Sequence, residues 1–219
     1  MTNRASVTAV VLAGGRSERF GGPKLAVDLH GRPLLVHAIR ATAEVADSVV
    51  VAGPLPSGPV DAPKASVRFI ADVESFAGPL AALAGVLATI TTELAIVVGG
   101  DMPGLAPAVL AAMLDRLRRD RSLDAVLLDA PATPLGRVGA ASPSRKRQVL
   151  PVALRVAAAS SAAGEALRAG DRSLVRLVGR LHATDLPAAS WLALDPRGLT
   201  VLDVDVPEDL ERFRGPEVG

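Results

Sequence analysis

The sequence predicts a three-layer α/β domain with a mainly parallel sheet buried between helices, and three observations carry that prediction. Apolar runs of strand length alternate with segments whose apolar residues recur at helical spacing, the order of successive β-α-β units. The runs are continuous, as strands covered on both faces require. Hydrophobic residues make up 49% of the chain and aromatic residues only 2%, so the core must be Val, Leu, Ile and Ala. At 219 residues, one domain spanning 1–219 is expected.

Taken in order, Val7 to Leu12 is a β-branched and aliphatic run ending at Gly14-Gly15, a buried strand feeding a loop. Pro33 stands where a helix can begin, and Leu34, Leu35, Ala38, Ile39 and Ala41 share one helical face. A short strand over 48–52, a Pro/Gly-rich loop over 53–63 and a strand over 67–71 follow. A helix after Gly78-Pro79 leads to the apolar strand 94–98, which ends in GGDMPGL. Pro107 opens a helix over 107–119 with Val109, Leu110, Met113, Leu114 and Leu117 on one face. A strand is expected over 124–128, and the Pro-, Gly-, Ser- and Arg-rich segment 131–148 reads as a long loop, a length usually tied to function. Beyond it are expected a strand over 149–155, helices over 157–168 and 172–178, a strand over 200–204 and a helix over 207–213.

Charge narrows the function. With 24 Lys and Arg against 23 Asp and Glu, and basic clusters only at 116–121 and 145–147, nucleic acid is not an expected partner. The absence of cysteine excludes disulfides, thiolate metal sites and a cysteine nucleophile. No apolar stretch reaches the roughly 18–20 residues of a membrane helix, and MTNRASVTAVV lacks the features of a signal peptide. A soluble, cytoplasmic protein without membrane contact is expected. Oligomeric state is not readable.

Open α/β sheets bind ligands outside the carboxyl ends of their strands. Two unusual stretches fall there, AGGRSERFGGPK after the first strand and GGDMPGL after the fourth. Glycines let a backbone approach phosphate closely, and cations neutralise its charge; Gly14, Gly15, Arg16, Arg19 and Lys24 combine both. The spelling is neither a Walker A loop nor G-x-G-x-x-G. Read alone, the loop is equally a tight turn with a solvated charged face. His30, His37 and His182 are not clustered, and no nucleophile elbow surrounds Ser17.

LAGGRSERFGGPK resembles the signature loop L-A-G-G-x-x-x-R-[MF]-G-x-x-K of the nucleotidyltransferases, in the form found in molybdenum cofactor guanylyltransferases. The resemblance continues in order through FIADVESFAGPLAAL (69–83), VVGGDMPGL (97–105), AGDRSLVRL (169–177) and LDVDVPEDL (202–210), covering nearly the whole chain. It implies a Rossmann-like nucleotidyltransferase fold and transfer of GMP from Mg²⁺-bound GTP to the phosphate of a molybdopterin-type acceptor, with release of pyrophosphate. Cytidylyl transfer, a different phosphorylated acceptor, or a catalytically silent nucleotide-binding protein are the alternatives.

By the same resemblance, Leu12, Ala13 and Gly14 line the base, Gly15 and Arg19 hold phosphates, and Lys24 stabilises charge on the α-phosphate and the leaving pyrophosphate. Asp101 holds Mg²⁺ and Asp72 lies near the nucleotide. On the residues alone, Asp101 and Asp72 also suit turns; the place of Asp101 at a strand end opposite a glycine-rich loop favours a cation. Asp203 and Asp205 depart from the family, which typically has Asn at both positions. Alternate residues of a strand share a face, so Asp205 is a candidate second metal ligand, and equally a cap for the helix near Pro207. The family's P-x-x-A-L element is altered in RQVLPVALR (147–155), and the basic residues at and beside it, Arg145, Lys146, Arg147 and Arg155, either receive an anionic acceptor or serve solubility.

Overall fold

In a computed structural model of the protein, residues 6–14, 20, 22–53, 60, 64–70, 78–130 and 148–214 are described. Their centre is a seven-stranded sheet in the order β5-β4-β1-β6-β8-β7-β9. The strands are β1 (Val7–Leu12), β4 (Ser48–Ala52), β5 (Ser66–Ile70), β6 (Leu94–Gly99), β7 (Ala125–Leu128), β8 (Val152–Arg155) and β9 (Ala183–Leu186). Only β8 runs antiparallel to its neighbours β6 and β7. A separate two-residue hairpin, β2 (Asp28–Leu29) with β3 (Arg32–Pro33), lies outside it.

The strand residues divide between two cores according to the two-residue alternation of a strand. Val7, Ala9, Val11, Leu94, Ile96 and Val98 face α1 (Leu34–Ala43) and α3 (Pro107–Arg119), whereas Val10, Ala95 and Val97 face α2 (Pro79–Leu87), α4 (Val156–Arg168) and α5 (Leu174–Val178). Helices on both faces bury β6 throughout and all but one terminal residue of β1 and β4, the physical reason their sequences read as nearly continuous apolar runs. Pro107 occupies the first turn of α3, and its five apolar face residues are all buried. The expected three layers and mainly parallel sheet are present.

Three expectations are corrected. Residues 200–204 form no strand: 199–201 is a single 3-10 turn and 202–205 is extended but unladdered. The interior strands β1 and β6 already have neighbours on both sides, so this segment finds no free edge and crosses their carboxyl ends as a strap. The turn after it is a 3-10 helix over Pro207–Arg212 instead of an α-helix. The strand expected over 149–155 is confined to Val152–Arg155. Also not expected were the β2–β3 hairpin, the edge strand β9 and the short helix α6 (Ala188–Leu192).

Trp191 of α6 is 0% exposed within the α1/α3 core, and its indole N–H donates to the Asp129 carbonyl at 3.0 Å. Trp191→Ala is expected to cost about 3–5 kcal/mol, the range for truncating a buried aromatic. Denaturant unfolding followed by far-ultraviolet circular dichroism checks this, and a loss under about 1 kcal/mol would contradict such burial.

Candidate active site

Register places the two unusual loops side by side. Leu12 at the end of β1 lies opposite Gly99 at the end of β6, and the pairing is extended by the Gly100 N–H donating to the Leu12 carbonyl at 2.9 Å. On the other flank the Ala13 N–H donates to the Ala52 carbonyl at 2.8 Å, and Gly14 is exposed beyond it. The chain returns through Pro23 into a 3-10 turn over Lys24–Ala26.

From that turn Lys24 reaches across to the second loop. Its Nζ lies 2.7 Å from Asp101 Oδ2 and 3.5 Å from Asp205 Oδ1. The Lys24 side chain is only 12% exposed and that of Asp101 27%, so water screens their ion pair only in part. Burial alone lowers the Lys24 pKa, but the hydrogen bond and charge of Asp101, reinforced by Asp205, outweigh it and hold the ammonium above its ordinary value.

Asp101 is placed by its neighbours. The Gly99 N–H donates to the Met102 sulfur at 3.3 Å, and Met102 is buried beneath the loop. The Asp101 carbonyl accepts from the Val204 N–H at 2.9 Å, which ties the strap across the loop. Gly104 lets the strap pass, because a Cβ there would sit 2.6 Å from Leu199 Cβ and 2.7 Å from Phe213 Cε1. A Cβ on Gly99 would lie 2.5 Å from Asp101 Oδ1. Gly99→Ala is therefore expected to displace the Asp101 carboxylate, at an overpacking cost of about 1–3 kcal/mol. Thermal melts with and without a divalent cation test this; an unchanged cation-induced stabilisation would show that the carboxylate had not moved.

The strap is anchored upstream by Asp195, whose Oδ2 accepts from the Thr200 N–H at 2.7 Å and the Thr200 hydroxyl at 2.8 Å; Thr200 Oγ1 in turn accepts from the Ala106 N–H. Val204 is 0% exposed in a small core with Leu29, Leu34, Leu210 and Phe213. Its extended flanks therefore send Asp203 and Asp205 out together. One carboxylate oxygen from each of Asp101, Asp203 and Asp205 lies within 4.8 Å of the others.

Asp205 does not cap the following 3-10 turn. That role falls to Asp209, whose Oδ2 accepts from the backbone N–H groups of Asp205 and Val206 at 2.9 and 3.1 Å. Asp205 is left facing Lys24. Three hard carboxylate donors with an ammonium already between two of them form a set suited to an oxygen-ligated divalent cation.

Asp203 is exposed, yet the protein beneath it costs its carboxylate part of its hydration and lifts the carboxyl above the ordinary value, and the charges of Asp205 and Asp101 add to the shift; Lys24 offsets part of it. A carboxyl raised in the folded state favours folding while protonated, and that contribution is lost as pH rises through the folded pKa. Neutral pH lies on the unfavourable side. Asp203→Asn is accordingly expected to raise the melting temperature modestly in divalent-free buffer near about pH 7, with a smaller gain near about pH 4. Equal gains at both pH values would contradict the assignment.

Of the other residues singled out by sequence, Gly15, Arg16, Arg19, Asp72, Arg145, Lys146 and Arg147 lie outside the described residues. Arg155 is removed from the site. Because β8 is antiparallel, Arg155 pairs in register with Leu94 at the start of β6, at the sheet edge opposite Asp101. There its guanidinium bonds Glu93 at 2.7 Å and the carbonyls of Leu117 and Leu123 at 3.1 and 3.2 Å. His30, His37 and His182 each bond a backbone carbonyl, of Phe213, Leu29 and Ser122 respectively.

A mainly parallel sheet carries a lysine–carboxylate site at the carboxyl ends of its central strands, and the family comparison places the domain in the nucleotidyltransferase class. The chain belongs to the MobA-like NTP transferase domain family, whose sequence profile matches residues 9–184. It is 41% identical over 117 residues to a molybdenum cofactor guanylyltransferase of Xanthomonas euvesicatoria, covering 52% of this chain and 57% of that one. It is 27% identical over 208 residues to a probable molybdenum cofactor guanylyltransferase of Chloroflexus aggregans, covering 94% and 92%. The chain spans about half the length of several curated relatives it matches, for example 55% of the Synechococcus elongatus protein. Among solved structures, molybdopterin-guanine dinucleotide biosynthesis protein A from Archaeoglobus fulgidus superposes with a TM-score of 0.69 at 20% identity, covering 94% of this chain and 95% of that one. A 2-C-methyl-D-erythritol 4-phosphate cytidylyltransferase from Thermus thermophilus gives 0.62 at 21% identity, covering 92% and 94%. At these identities the structural likeness establishes the fold.

Proposed function

We propose that the protein transfers GMP from GTP to the phosphate of a molybdopterin-type acceptor. An acceptor phosphate oxygen bonds to the α-phosphorus of GTP as the bond to the β-phosphate oxygen breaks, leaving a diphosphate-linked dinucleotide and pyrophosphate. The observation that carries this reading is the convergence of Lys24, Asp101 and Asp205 where β1 and β6 end side by side. The names of the relatives support guanine and a molybdopterin acceptor over the cytidylyl alternative.

In this reading the Lys24 ammonium engages the α-phosphate and the departing pyrophosphate, where negative charge accumulates. Asp101 and Asp205 would hold a divalent cation, Mg²⁺ by preference for an all-oxygen set, with Asp203 adjoining. Such a cation supplies Lewis-acid neutralisation of the triphosphate. Leu12, Ala13 and Gly14 present backbone to the base, while Gly15, Arg19 and Asp72 keep the nucleotide-binding roles expected from their motifs. The partners are small phosphorylated molecules, in keeping with 24 basic against 23 acidic residues. Among the described residues no helix is long and apolar enough to cross a membrane, and the reading carries with it a cytoplasmic setting where GTP is available.

Pyrophosphate release with Mg²⁺ and each of GTP, CTP, ATP and UTP, with and without the molybdopterin acceptor, tests the proposal. Acceptor-dependent release with GTP supports it. Release with CTP alone transfers the protein to the cytidylyl branch, and nucleotide binding without release leaves a binding protein.

A further inference from the structure

Lys24 stands in the position that a bridging cation requires. A divalent cation held by Asp101 and Asp205 must approach an oxygen of each to about 2.0–2.6 Å. The Lys24 ammonium already lies 2.7 Å from one and 3.5 Å from the other, between the same two carboxylates. A second cation entering that wedge meets repulsion from the ammonium that is only partly screened where the Lys24 and Asp101 side chains are 12% and 27% exposed. The lysine backbone is fixed, its carbonyl accepting from the Val27 N–H at 3.1 Å, whereas its four-carbon stem allows the head to swing. We infer that Lys24 and the divalent cation exchange at Asp101 and Asp205, so that cation entry releases the lysine to engage the phosphates of the nucleotide.

The exchange joins two events that would otherwise be independent. While the ammonium bridges Asp101 and Asp205 it holds the carboxylates together against their mutual repulsion, and Asp203 leaves the cluster in charge excess when all three are ionised. Once a doubly charged ion takes over that role, the lysine is repelled from the cluster. The amine is then available for phosphate only in molecules that carry the cation.

This inference rests on the cation site proposed above, and the experiment separates the two. Mn²⁺ is titrated into the nucleotide-free protein and free Mn²⁺ is read by electron paramagnetic resonance. Lys24→Met is expected to bind Mn²⁺ about tenfold or more tightly than wild type, the lower end of what one neighbouring charge does to the proton affinity of a carboxylate. Lys24→Arg, which keeps the charge, is expected to stay near wild type. Equal or weaker binding by Lys24→Met overturns the exchange while leaving the cation site intact. Mn²⁺ binding that survives Asp101→Asn in both the wild-type and Lys24→Met backgrounds overturns the cation site, and the exchange with it.

A second readout needs no substitution at Lys24 and stands even if Lys24→Met fails to fold. Reductive methylation of the wild-type protein, followed by mass spectrometry, compares Lys24 with exposed Lys64, which pairs with Glu44 on the surface. Mg²⁺ without nucleotide is expected to raise the Lys24 rate several-fold and leave Lys64 unchanged. An unchanged ratio overturns the exchange.

Discussion

Replacing Lys24 by alanine is expected to lower acceptor-dependent pyrophosphate release by on the order of 10²–10³-fold, the usual cost of removing one preorganised charge stabiliser from a reaction centre. The ammonium is held charged by Asp101 and Asp205. The loss should fall on turnover more than on nucleotide affinity, because charge on the α-phosphate and leaving group peaks in the transition state. Steady-state kinetics of a variant with wild-type circular dichroism decides the matter. A rate within a few-fold of wild type would take Lys24 out of the chemistry.

Asp101→Asn is expected to be at least as severe. The substitution keeps shape but removes the carboxylate on which both the lysine and the proposed cation depend. A cation at such a site contributes several kcal/mol, and at about 1.4 kcal/mol per decade the expected loss is on the order of 10³-fold. The divalent-cation dependence of the rate should flatten as well. Activity that still climbs steeply with Mg²⁺ in Asp101→Asn would assign the cation to other ligands.

That Lys24 and Asp101 lie on loops at one sheet edge was legible because glycines mark the strand ends those loops leave, Gly14-Gly15 at the start of the first loop and Gly99-Gly100 immediately before Asp101; the roles expected of them came from the family resemblance. The central strands and α1, α2 and α3 were legible for a related reason: burial on both faces leaves continuous apolar runs, and burial on one leaves a helical stripe. What escaped depends on partners distant in sequence. The direction of β8 is set by its place between β6 and β7 and not by VALR itself, and that direction is what carries Arg155 away from the site. The short edge strand β9, ATDL, alternates over too few residues to be distinguished from a loop.

The C-terminal segment shows the same division between Asp203 and Asp209. That Asp203 and Asp205 share a face was legible from their spacing, and it holds although no strand forms there, since extended backbone alone gives the alternation. That Asp209 takes the capping role was hidden, because both carboxylates stand near the turn and only the fold decides which one reaches back. The constraint on Gly99 was equally hidden. It arises from a single approach of Asp101 Oδ1, which the Gly99-Gly100 spelling does not reveal.

The strap's independence from the sheet ladder bears on how this site can diverge. Two of its three carboxylates, Asp203 and Asp205, stand on a segment tied to the Asp101 loop through one backbone hydrogen bond, from Val204 to the Asp101 carbonyl. Exchanging acid for amide at either position alters the charge offered to a cation without disturbing any strand register or either large core. Evolution can therefore retune the charge of the strap while the sheet that delivers Asp101 stays fixed, a separation of inheritance between scaffold and electrostatics.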